Sequence, residues 1–144
     1  MASVTWKGGK LLLALADFLE NDPRVKGHFD MGTIVDARMK GARPDLAECG
    51  SAACALGWAP HVPAIRRAGL RYHAHAVEKW AYLTFDGEWQ PFRDMAVYTF
   101  DISYSAAGEL FLSRPRNHTP KQVARNIRRF VTAERKRRGI NADA

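Results

Sequence analysis

The sequence predicts a mainly α protein: a single compact domain of five or six helices, with room for a small β-hairpin near residues 71–85. Three observations carry that class. Apolar residues recur at three- and four-residue spacing in several segments that Pro and Gly separate. A segment that begins Thr-Pro near the C-terminus holds a full set of helix start and stop signals. Alternation of the strand kind is confined to one stretch and is partial even there. The chain of 144 residues suits one domain over 1–144, with 139–144 as a frayed tail.

The first helix spans Gly9 to about Asn21. Leu11, Leu12, Leu15, Phe18 and Leu19 form its apolar stripe, and Pro23 stops it. The stretch from Gly27 to Glu48 is loop-rich, with Phe29 and Met31 as anchors into the core. A second helix is expected to start near Ser51 and carry Ala52 to Ala59, ending at Pro60. Pro63 opens a short helix that closes at Gly69. In "RYHAHAVEKWAYLTFDGEW", Tyr72, Ala74 and Ala76, then Trp80 and Tyr82, alternate as a hairpin would, although a helix followed by a turn fits as well. Asp86 reads as the cap of a helix bearing Trp89, Phe92, Met95 or Ala96, and Tyr98 or Thr99 at helical spacing. A short helix follows, started by Ser103 or Ser105.

The last helix is the clearest. Thr119 is its N-cap, Pro120 its first residue and Gln122 its third, the order of a capping box, and Gly139 is its stop. Val123, Ile127, Phe130 and Val131 share one side. Lys121, Arg125, Arg128, Arg129, Arg135 and Lys136 fall on the other.

Charge is unevenly placed. The formal net charge is +7, and the segment Lys121–Arg138 holds eight cations and one acid, Glu134. The remaining chain balances at 14 basic and 14 acidic residues, so one segment carries the surplus. No apolar run approaches the roughly 20 residues a bilayer span needs, and Asp17 interrupts the apolar start. Two cysteines without an export signal point to a reducing cytoplasm.

The cysteines lie in "ECGSAACALGWAP". Cys49 and Cys54, with His61 and His73 or His75, would give zinc four ligands, but the cysteine gap is long for a structural site and no second pair exists. Cys49 as a nucleophile with His73 or His75, and Asp94 behind, would give a hydrolase or transferase; the local signature of papain-like enzymes is absent. A disulfide conflicts with a reducing compartment. Packing is the reading the residues favour: Cys49, Gly50, Ser51, Cys54, Gly57 and Trp58 form a structural box of small and buried residue types, with Ser51 as a cap. No metal or cofactor is implied.

"FDM" at 29–31, "CGSAACALGWA" at 49–59, "LFLS" at 110–113 and "TPKQVARNIRRFV" at 119–131, in that order, resemble a family of small phage and prophage proteins. That family has a Cys-Gly-Thr-x-x-Cys-x-x-Gly-His/Trp-Ala box and a terminal helix started by Thr-Pro. The likeness covers nearly the whole chain and is poorest over 71–85; Ser51 stands where the family has Thr. It implies an origin and a shared fold, and it brings no catalytic residues.

Binding is thus a better expectation than catalysis. A one-sided stripe of six cations suits phosphate, so the partner expected is nucleic acid or a nucleic-acid-containing host complex, without sequence readout. An acidic host protein, met as an inhibitor would meet it, is the alternative partner; no membrane is expected, and oligomeric state is left open. A solvated face that aids solubility and complements the helix dipole is the plainer explanation of the same charges. His28 and His118 read as exposed loop residues, and Trp58, Trp80 and Trp89 as core rather than a base-stacking platform.

Overall fold

The computed structural model describes residues 5–29, 35–41, 43–44, 52–112 and 119–140. In chain order its elements are α1 (Lys7–Asn21), β1 (Val35–Asp36), β2 (Met39–Lys40), β3 (Arg43–Pro44), β4 (Ala52–Ala53), α2 (Ala55–Trp58), α3 (Pro63–Arg67), β5 (Leu70–Ala74), β6 (Ala81–Phe85), α4 (Phe92–Phe100), α5 (Tyr104–Phe111) and α6 (Pro120–Arg138). A 3-10 turn at Ala59–His61 joins α2 to α3. The protein is mainly α, with a small antiparallel hairpin where the alternation predicted one.

α1 and α6 make the spine. Leu11, Leu12, Leu15, Ala16 and Leu19 are buried on α1, against Val123, Ala124, Ile127 and Val131 of α6. Burying a side chain of the Leu or Ile class stabilises by ~1.5–3 kcal/mol. The two helices run antiparallel. At one end Trp6 meets Phe130 and Arg138; towards the other, Asp17 and Glu20 meet Arg128. One hydrophobic cluster includes residues from all six helices and from β5 and β6.

The start of α1 is clamped to the end of α4. The Trp6 indole N–H donates to the carbonyls of Phe100 at 2.9 Å and Asp101 at 3.1 Å, two groups that a helix end leaves without partners. The approach is so close that a Cβ on Gly8 would stand 1.7 Å from the Phe100 carbonyl oxygen. Only glycine fits there.

β5 and β6 pair in register from Leu70↔Phe85 to Ala74↔Ala81. Leu70, Tyr72, Ala81 and Leu83 turn inward, while Arg71 and His73 face out. The outer edge of β6 also takes a bridge from Arg38 to Trp80, so three chain segments lie side by side at that point.

Several sequence expectations need correction. α1 begins at Lys7, two residues early. Ala52 and Ala53 are not the first turn of a helix: they pair with Asp36 and Val35, and α2 starts only at Ala55. A run of small residues favours helix locally, and a partner strand far along the chain overrides it. Asp86 caps no helix. It is left-handed (φ 50°), as is Gly87 (φ 84°), and the two form a tight turn between Phe85 and Glu88. Asp-Gly is the pair that such a two-residue turn demands. α4 begins six residues later, at Phe92. The expected tail at 139–144 also starts too early, because Ile140 is buried in the core. Met31, Cys49, Gly50, Ser51 and His118 lie outside the described residues.

Candidate nucleic-acid interface

α6 is held at both ends by its own sequence. Thr119 Oγ1 accepts from the Gln122 backbone N–H at 3.1 Å, and Gln122 Oε1 accepts from the Thr119 N–H at 2.7 Å, completing the capping box. At the far end Gly139 is left-handed. Its N–H donates to Lys136, and that of Ile140 to Arg135, a Schellman arrangement that folds the Ile140 side chain back onto the core. The helix therefore presents a fixed outer side.

At about 100° per residue, Lys121, Arg125, Arg129 and Lys136 fall within about 80° of arc, centred opposite the buried side. All four are exposed, and among the described residues no carboxylate forms an ion pair with them. From the first to the last is a span of about 22 Å, the length of roughly six base pairs. No Asp or Glu occupies that side of the helix.

The other cations of the segment are engaged. Arg128 is half-buried and donates to Asp17 at 2.7 Å and to Glu20, which together raise its pKa above the ordinary arginine value, Glu20 the more strongly. It therefore leaves the six-membered face that the sequence predicts. Arg135 is half-buried on the same flank and is engaged within the chain. Arg137 and Arg138 both turn to Glu134, which is buried, and Arg138 also donates to the Asp101 carbonyl at 2.6 Å and stacks over the Trp6 ring. The surface thus narrows from six cations to four.

The described part of the cysteine box, Cys54, Gly57 and Trp58, is buried. Cys54 is buried immediately before α2. Trp58 is fully buried, and its indole N–H donates to the His28 carbonyl. The Gly57 carbonyl accepts from the Tyr72 hydroxyl, which lies 2.8 Å from His61 Nδ1. Phe18 and Trp58 pack around that imidazole. His28 is half-buried rather than exposed. His73 and His75 stand against Tyr82 on the outside of the hairpin, and Asp94 lies in the first turn of α4. Among the described residues no three His, Cys, Asp or Glu side chains converge.

Two of the three tryptophans read as core are on the surface: Trp80 is 37% exposed and Trp89 67%, and Arg38 stacks on Trp80. The signal was present in the alternation that places Trp80 and Tyr82 on one side of a strand. Among the described residues no helix is long and apolar enough to cross a membrane. Comparison with protein-family models, with curated proteins and with solved structures finds no match for the chain.

Proposed function

We propose that the chain is a phage- or prophage-type accessory protein that binds nucleic acid, or a nucleic-acid-containing host complex, through the outward side of α6. The observation that supports this most is the set of four cations, Lys121, Arg125, Arg129 and Lys136, aligned and unpaired among the described residues on a helix whose neighbouring cations are all engaged. Such side chains grip phosphates and fix position without reading sequence. Counterion release then sets the salt dependence. Four phosphate contacts on duplex DNA give a slope of about −3.6 in log affinity against log salt, and a loss of about 100-fold between about 50 and about 200 mM salt.

The test is a fluorescence-anisotropy titration of a labelled duplex at those two salt concentrations. The parent is compared with the quadruple variant Lys121→Ala, Arg125→Ala, Arg129→Ala, Lys136→Ala. The reading expects parental binding with the steep slope and its loss in the variant. Absence of binding by the parent, or equal binding by both proteins, overturns it. A stable complex with an acidic host protein, surviving nuclease and lost in the same variant, would move the reading to protein inhibition.

A further inference from the structure

We infer that the outer face of the β5–β6 hairpin is a stacking platform for unpaired nucleotides, a site for single-stranded DNA or RNA separate from α6. Register sets the arrangement. His73 lies opposite Tyr82, His75 is bonded through its backbone to Trp80, and Arg38 bridges Trp80 from the other edge of β6. Residues two apart share a face of a strand and lie about 6.6–6.8 Å apart, so His73, His75, Trp80 and Tyr82 stand together as four rings. Ring contacts agree: Tyr82 lies 5.8 Å from His73 and 4.8 Å from His75 between centroids.

Three of the rings are reachable: His73 and His75 are exposed and Trp80 is partly so, while Tyr82 is half-buried against the two imidazoles. At the hairpin tip His75, Val77, Glu78 and Trp80 line an open depression of about 590 Å³. Cations frame the rings. Arg71 is exposed on the His73 strand, and the Arg38 guanidinium stacks 5.2 Å from the Trp80 centroid, which places a phosphate partner beside an aromatic surface. Lys79 follows Glu78 in the sequence, so the tip carries one charge of each sign.

Chemistry chooses the occupant. Imidazole, phenol and indole rings between guanidinium groups accept bases by stacking and phosphates by charge, as single-strand binders do. A duplex keeps its base faces stacked inward and cannot use such a platform. Protein interfaces also favour Trp, Tyr and Arg, and a protein occupant would show in the test below as a parent chain that fails to bind the oligonucleotide.

The inference does not rest on the α6 reading, and the test separates them. Anisotropy of a labelled oligo-dT of about 15 nucleotides is measured with the full chain, the double variant His73→Ala/Trp80→Ala, and Trp80→Phe. Thermal unfolding of each shows whether it remains folded. Removing a stacked ring weakens binding about fivefold or more. The double variant should therefore bind oligo-dT about 25-fold or more weakly, Trp80→Phe should keep most of the affinity, and duplex binding through α6 should be unchanged. Failure of the parent to bind oligo-dT, or equal binding by a folded double variant, overturns the platform. Loss of duplex binding in the α6 variant alone leaves that separate reading standing.

Discussion

Gly8 shows how far one residue departs from what its neighbourhood suggests. By helix propensity, Gly8→Ala in the first turn of α1 should stabilise by up to roughly 1 kcal/mol. The structure reverses the sign, because the new Cβ would meet the Phe100 backbone oxygen at 1.7 Å and no flexible side chain can yield. α1 would have to lift from α4 and give up the Trp6 bonds to Phe100 and Asp101. We expect Gly8→Ala to destabilise by about 3 kcal/mol or more in urea unfolding; a gain in stability would refute the clamp. A gentler effect belongs to Asp22. Its carboxyl is held below the usual range, chiefly by the side-chain hydrogen bonds from Arg24, at 2.7 Å and 2.9 Å. A depressed folded pKa contributes stability that is present above the unfolded value of about 3.9 and lost as pH falls through the folded one. Asp22→Asn should therefore cost less than about 1 kcal/mol near neutrality, since Arg24 is half exposed, and nothing once the parent is protonated in acid. Unfolding of both proteins across that acid range checks it.

At the scale of elements, legibility follows how local each cause is. α6 was readable from end to end because its cap, first-turn proline and terminal glycine act within a few residues of one another. Thr119→Ala should accordingly cost about 0.5–2 kcal/mol, and Thr119→Ser should recover most of it, as thermal unfolding would show. The hairpin was readable through alternation, and the Asp86-Gly87 turn that follows β6 could have been, since that dipeptide after a strand-like run is a turn signal. Reading Asp86 as a helix cap used a correct propensity in the wrong place. The pairing of Ala52–Ala53 with Val35–Asp36 was beyond reach, because contacts that distant leave no mark in a window of alanines. The candidate surface was legible in the same proportion. Glu134 reaching Arg137 and Arg138 is three- and four-residue spacing on one helix. Arg128 reaching Asp17 and Glu20 depends on how α1 lies against α6, and periodicity alone does not reveal that.

The whole molecule turns its surplus charge into a surface by using some cations internally and leaving others outside, and Arg128 and Arg129 separate these two uses. They are adjacent in sequence, so composition and net charge change identically when either becomes Ala. Arg128 joins α6 to α1 through two carboxylates, whereas Arg129 lies on the outward side with Lys121, Arg125 and Lys136. Exposed ion pairs contribute little, so Arg128→Ala should lower stability by no more than about 1 kcal/mol and leave the salt slope of duplex binding nearly unchanged. Arg129→Ala should leave the unfolding midpoint unchanged and make the slope shallower by about 0.9, the share of one phosphate contact. If the charge acted only through its total, both variants would bind alike. Paired anisotropy titrations over a salt series, with urea unfolding of each protein, distinguish the cases. Identical slopes for the two variants would show that α6 attracts nucleic acid as a diffuse charge without a defined face.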